Sequence, residues 1–406
     1  MCRRAMVIAT VAALGCVVAT GGTAQAAGGP RQAVAASAFI DSIGVNTHID
    51  FVSIPAYANL RTTLDALTYL GVKNVRDDPQ NPADVGPNGW WQLVANATEV
   101  KFDAFMAEGS VAQMRDDLTR AQSLAGQGLL NFIEGGNEED DPYAVEHGNS
   151  LQEAASFQRD IFRAGRALGL PVINISFGQG WTAANDWRGN YDKVGDLSAY
   201  ADYANAHTYP DGAPLSSIRM LNRNARIAAP HRPVVVTEFG YDTNKTDPLM
   251  AARYTLAGLL DAFKEGVVKT YIYALFDDGS GKFGLMNANA TPKPAGAALH
   301  TMIALLQDHG AGAVAFKPGA LDVSLGDSRP GDETLLMQSA GGTFWLALWN
   351  ETAGPHTVTL SLRASAEIRV LDPVTGTGAI QTASDATSLP VRLGNSPLLI
   401  QITPAA

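Results

Sequence analysis

Three observations predict a (β/α)8 barrel followed by an all-β sandwich. From about Ser37 to Gly310, eight short β-rich runs alternate with stretches of helical periodicity. No glycine-rich phosphate fingerprint follows the first run, which argues against a doubly wound open sheet. After Gly310 the helical pattern stops, and short strands separated by turn residues continue to the end.

The chain begins MCRRAMVIATVAALGCVVATGGTAQA. Arg3 and Arg4 precede an apolar stretch over residues 5–19, and Ala24-Gln25-Ala26 is a small-residue cleavage site. This is the layout of a signal peptide over residues 1–26, so a secreted protein, extracellular or periplasmic, is expected after cleavage near Ala26. A lipid anchor on Cys16 is the alternative, although ALGC is a poor match and apolar residues continue past it. No later run reaches the roughly 18 uninterrupted apolar residues of a membrane span. Cys2 and Cys16 both lie in this segment, so a cleaved chain carries neither thiol nor disulfide.

Residues 37–310 supply the barrel. Its strand candidates are FIDSIGVNTHI, VKNVRDD, VKFDAFM, LLNFIEGGNE, PVINISFG, YANAHTY, PVVVTEFG and VVKTYIYALF. Leu60, Leu64 and Leu67 share a helical face after the first run, and Val111, Met114, Leu118 and Ala121 share one after the third. After the fourth, Ser150 and Glu153 form a capping box ahead of Leu151, Ala154, Ile161 and Leu168. Asp247-Pro248 starts a helix after the seventh that Gly266 stops, and residues 297–307 finish the series. The second, fifth and sixth connections are less regular. Residues 311–406 form the sandwich, to which residues 28–36 can return as a strand. Trp345 and Trp349 fall on one of its strands, where packing is the simpler reading than a sugar platform.

A composition of 46% hydrophobic and 17% charged residues supplies core for one large and one smaller domain. The net charge is -11, and removing Arg3 and Arg4 leaves 27 basic against 40 acidic residues, or -13. No basic run is present, which argues against nucleic acid as a partner. There is no His-x-His at strand one, no His-Glu-x-x-His helix and no EF-hand loop, so no metal and no cofactor is expected. Oligomeric state leaves no trace in the sequence.

Barrel enzymes carry their chemistry at the C-terminal ends of the strands. Those ends bear Asn46 and His48, Arg76 with Asp77 and Asp78, Asn137 with Glu138, His207 with Tyr209, Glu238, and Phe276 with Asp277. Within this rim, GGNEED at strand four has a counterpart in VVVTEFG at strand seven. The two strands lie across the mouth from each other, so Glu138 and Glu238 can face one ligand. Two carboxylates flanking one bond is what glycoside hydrolysis requires, one protonated and one ionised.

Asn-Glu at strand four with Glu at strand seven resembles the clan A retaining glycoside hydrolases, and the barrel-plus-sandwich layout resembles family 39 within them. The resemblance implies Glu138 as acid/base and Glu238 as nucleophile, with Asn137 holding the sugar 2-hydroxyl. His207-Thr208-Tyr209 is similar to the His-x-Tyr of strand six, placing Tyr209 near Glu238. Arg76 corresponds to the basic residue beneath the nucleophile that keeps it ionised. The family's strand-eight aromatic platform, often Trp, is replaced here by YALFDDG, where Phe276 can serve or Asp277 can reach the sugar.

Other residues stay open between two readings. Glu134 shares the face of Glu138 at greater depth, where it pairs with Arg76 or fills a polar layer. Asp77 or Asp78 can bind a sugar in the innermost subsite, and His48 is a sugar ligand or a satisfied core histidine. Trp90, Trp91, Trp181 and Trp187 fall in loops after strands two and five, where they line a saccharide cleft or pin the loops. The function implied is a secreted retaining β-glycosidase, with a weak lean to endo action on a polysaccharide. A non-catalytic carbohydrate-binding protein and a transglycosylase using the same residues are the alternatives.

Overall fold

Among the described residues of the computed structural model (29–79, 89–107, 110–142, 150–179, 184, 188–210, 216–308, 316–351 and 354–405), eight parallel strands make a barrel. They are β1 (Ile43–Asn46), β2 (Asn74–Asp77), β3 (Lys101–Met106), β4 (Leu130–Gly136), β5 (Val172–Ile173), β6 (Ala204–Thr208), β7 (Val234–Phe239) and β8 (Thr270–Ile272). The ladder runs β5-β4-β3-β2-β1-β8-β7-β6, and a parallel bridge between Ile173 and Tyr203 joins β5 to the start of β6. The expected signal segment lies outside the described residues.

Helices α1 (Ala36–Asp41), α2 (Leu60–Leu70), α3 (Trp90–Thr98), α4 (Val111–Gly126), α5 (Leu151–Leu168), α6 (Ser216–Asn224), α7 (Pro248–Lys264) and α8 (Pro294–Leu306) accompany them. The cap signals act where the sequence places them. Ser150 and Glu153 make both bonds of the capping box on α5, and Asp247 caps α7 with Pro248 in its first turn. None of these helices is long and apolar enough to cross a membrane.

Three expected strands are much shorter than their apolar runs, and of VVKTYIYALF the ladder takes only Thr270–Ile272. The FID stretch is helical in α1, where Phe39 turns into the interior and meets Phe263 edge-on at 5.5 Å; the strand begins only at Ile43. In PVINISFG the ladder covers Val172–Ile173 alone. Beyond it the backbone alternates partners, with Asn174 N–H donating to Tyr203 O and Ser176 N–H to Gly136 O.

The second layer system is antiparallel. Its strands are β9 (Ala320–Leu321), β10 (Val323–Gly326), β11 (Asp332–Gln338), β12 (Phe344–Asn350), β13 (His356–Leu371), β14 (Ala379–Leu393) and β15 (Leu398–Pro404). They run β10-β13-β15-β12-β11, with β14 beside β13. Residues 31–35 pair with β9 and β11. Alternation along β12 decides how this sheet meets the barrel. Phe344, Leu346 and Leu348 enter the core between the β layers, whereas Trp345, Ala347 and Trp349 join the core shared with the barrel. Both tryptophans are therefore packing residues.

Candidate active site

The site is built upward from Arg76. β2 delivers this side chain into the barrel at 1% exposure, and all five of its N–H donors are used. Nε and Nη2 grip Glu134 at 2.7 and 2.9 Å, and Nη2 also reaches Asn137 Oδ1 at 2.6 Å. Nη1 donates to Asn46 Oδ1 at 2.8 Å and to Glu238 Oε1 at 2.9 Å. Burial opposes its charge, yet Glu134 and Glu238 outweigh burial and raise its pKa further. Below it Asn205 donates to Glu134 at 2.8 Å and accepts from Thr237 at 2.5 Å, so this polar layer ties β4, β6 and β7 together. Glu134 therefore belongs to the support under the site.

Glu238 ends the apolar run of β7 and is 4% exposed. Arg76 holds one oxygen, and the Tyr209 hydroxyl donates to the other. Burial, then the charge of Glu238, push the Tyr209 phenol well above its ordinary pKa, so it remains a donor. The His-x-Tyr pair works as a unit. His207 Nδ1 lies 2.7 Å from Glu138 Oε1 and 3.5 Å from Glu238 Oε2. Burial disfavours imidazolium, but Glu238 and then Glu138 overcome it and raise the His207 pKa.

Glu138 is held differently. Gly135 allows β4 to approach the segment after β5: a Cβ there would lie 2.6 Å from Ile175 N. Past Gly136 the chain turns, and Glu138 takes φ 44°, a left-handed conformation uncommon for a residue with a side chain. Its N–H donates to Ser176 Oγ at 3.0 Å. One ligand atom from each of Glu138, His207 and Glu238 lies within 4.8 Å of the others. The two glutamates thus meet across the mouth, with Asn137, Arg76, His207 and Tyr209 around them.

The remaining candidates are placed elsewhere. Phe276 is 1% exposed and packs edge-on against Tyr57 at 5.1 Å, so it offers no platform: the chain has turned inward by that position. Asp277 is engaged by Lys293 at 2.7 Å and by the Gly284 N–H at 2.8 Å, and lines a cavity of about 390 Å³ beside β7 and β8 instead of reaching for a sugar. Asp77 accepts from Thr47 and from the Ile49 and Asp78 N–H groups, pinning the segment after β1. Asp78 lies with Asp50 and Asp77, where burial and like charge push its carboxyl well above the usual range. His48 faces the Tyr273 hydroxyl at 3.2 Å and Asp278 at 3.3 Å and stacks on Phe51, as a satisfied histidine in the wall. Trp91 stacks on Phe102 at 4.1 Å and is core. Trp181 and Trp187 lie outside the described residues.

Three contributors are not apparent from sequence. Tyr273, immediately after β8, is buried at 2% exposure with its ring 6.2 Å from that of Tyr209. Asp278 binds His48, Ser280 and Tyr273, and these contacts overcome burial to hold its carboxyl below the usual range. Ser176 sits among six buried residues from Val172 to Phe177, where a lone serine gives no signal. Among the described residues, two groups could bring three ligand atoms to a metal, Glu138–His207–Glu238 and Asp50–Asp77–Asp78. In the first, the Arg76 cation 2.9 Å from Glu238 already supplies the positive charge.

An eight-stranded barrel with paired glutamates at β4 and β7 and an antiparallel sheet packed beside it defines a class, and the fold is that of the clan A glycoside hydrolases. A family 39 glycoside hydrolase from Bacteroides cellulosilyticus WH2 superposes with TM-score 0.60 at 15% identity, over 92% of this chain and 82% of that one. The catalytic domain of family 30 xylanase C from Talaromyces cellulolyticus gives 0.56 at 15% identity, over 93% and 98%. A glucosidase from Croceicoccus marinus gives 0.55 at 12% identity, over 84% and 92%. No protein-family model matches the chain, and no curated protein is significantly similar to it in sequence.

Proposed function

We propose that the protein is a secreted retaining β-glycosidase that cleaves an oligo- or polysaccharide by double displacement. The observation that carries this reading is the approach of Glu138 and Glu238 to within 4.8 Å in unlike surroundings. Retaining enzymes hold their carboxyl groups about 5–5.5 Å apart, whereas inverting enzymes leave roughly 6.5–9.5 Å for a water. Glu238, bound to Arg76 and Tyr209, attacks the anomeric carbon as the carboxylate. Glu138 gives its proton to the leaving oxygen as the glycosidic bond breaks. It then takes a proton from water, which displaces Glu238 and frees the sugar. Asn137, fixed by Arg76, sits beside the pair as a ligand for the 2-hydroxyl. The family 30 neighbour is a xylanase, and Trp181 and Trp187 in the sequence after β5 favour endo action on a polymer.

The test is incubation of the purified protein with aryl β-glycosides and soluble polysaccharides, following the anomer first released by NMR. A β-product formed first is expected. An α-product from a β-substrate would overturn the mechanism, and binding without turnover would overturn the enzyme.

A further inference from the structure

We infer that Asp140 is a positioning residue for Glu138, an inference that rests on the acid/base role proposed above. Asp140 follows Glu138 by two residues and is 9% exposed. Its carboxylate accepts three hydrogen bonds from the segments that follow β5, the strand next to β4. Gly178 N–H donates to Oδ1 at 2.8 Å, and Gln179 N–H and Asn190 Nδ2 donate to Oδ2 at 3.0 and 2.7 Å. These bonds draw the segment after β5 against the acid/base. Gly178 ends so close that a Cβ there would stand 2.5 Å from the Glu138 carboxyl carbon and 2.7 Å from each oxygen. The same segment holds the Glu138 N–H through Ser176 at 3.0 Å.

The Glu138 turn and the 176–179 segment therefore clasp each other. Ser176 fixes the backbone of Glu138, Gly178 forms a wall against its carboxyl, and Asp140 holds that wall in place. Asn190 adjoins Tyr191, whose hydroxyl donates to Asn205 O at 2.8 Å, so the clasp is anchored in the barrel interior. Glu138 keeps φ 44° within this enclosure, as strained residues do when their surroundings over-determine them. The carboxyl oxygen that must meet the leaving group is aimed by the clasp and by His207 together.

The inference concerns one proton transfer, from Glu138 to the departing oxygen as Glu238 bonds to the anomeric carbon. Loosening the clasp should hurt substrates that need the proton and spare those that do not. Asp140→Ala and Gly178→Ala are compared with wild type on aryl β-glycosides graded by leaving-group pKa. A kcat/KM loss of about 10²-fold is expected for alkyl-like leaving groups, the scale of a 1 Å misplacement, against a few-fold for dinitrophenolate. Azide, which attacks the glycosyl-enzyme without needing a general base, should speed the variants and yield the β-glycosyl azide. Asp140→Asn, keeping one acceptor oxygen, should fall between. Equal losses across the series without azide rescue would reduce Asp140 to a structural role and overturn the inference. Wild type silent on every substrate overturns the glycosidase reading. The crystal structure of Asp140→Ala then decides the inference alone: displacement of Glu138 from His207 supports it, and an unmoved carboxyl overturns it.

Discussion

Glu138 and Glu238 end strands of the same barrel and share His207, yet they are held by opposite means. Glu238 is fixed through its carboxylate, by a guanidinium on one oxygen and a phenol on the other. Glu138 is fixed largely through its backbone, by Ser176 and by a turn at positive φ, and its side chain is the more exposed at 13% against 6%. The difference teaches how one fold suits two carboxyl groups to the two tasks proposed for them. Donors hold both oxygens of Glu238, whereas Glu138 has His207 on one oxygen and a side chain more open to the mouth.

Replacing both residues by glutamine sharpens that contrast. Glu238→Gln should lower kcat on the order of 10⁶-fold on every substrate, the scale of removing an enzymatic nucleophile, with no recovery in azide. Glu138→Gln should cost about 10²–10⁴-fold where the leaving group is poor and far less where it is good. Steady-state kinetics on one aryl series measures both; equal losses in the two variants would erase the distinction.

Removing the shared support breaks it. Arg76→Met leaves Glu134 and Glu238 buried without their cation, and should destabilise the fold by about 3–5 kcal/mol in chemical denaturation. A smaller change follows from Tyr209→Phe, which deletes one charge-assisted bond of about 1.5–3 kcal/mol and should slow turnover by about 10- to 100-fold. An unaltered rate would show that Arg76 alone keeps Glu238 in place.

The subtlest effect is in pH. The folded pKa of His207 is raised above its unfolded value of about 6.5, so its contribution to stability is complete below that value and lost as pH rises through the folded one. The difference in Tm between wild type and His207→Gln should be widest near about pH 6 and shrink toward alkaline pH. A difference that widens with pH would reverse the assignment.

What the sequence reveals follows the range of the interaction. The carboxylates at β4 and β7 are legible because each ends an apolar run, and strand order alone sets them face to face. Arg76, His207 and Tyr209 stand at strand ends for the same reason. Caps such as Ser150 and Asp247 are legible because their partners lie within three residues. Ser176 and Asp140 are not, since what they do depends on pairing across 38 residues. The rim at β8 was misplaced for a related cause. The ladder ends at Ile272, so Tyr273 meets Tyr209 while Phe276 and Asp277, further along the run, turn to Tyr57 and Lys293.

Residues 31–35 pair with β9 and β11, partners about 300 positions away. A ribosome therefore makes this edge long before the strands that complete it exist. During synthesis the segment stays unpaired while the barrel strands emerge behind it, and its edge closes only once Met337 and Gln338 have been added. The earliest-made described strand is thus among the last to be satisfied. A chain stopped anywhere before β11 leaves Val34–Ala35 without its ladder, which links the quality of the start of the protein to delivery of its end.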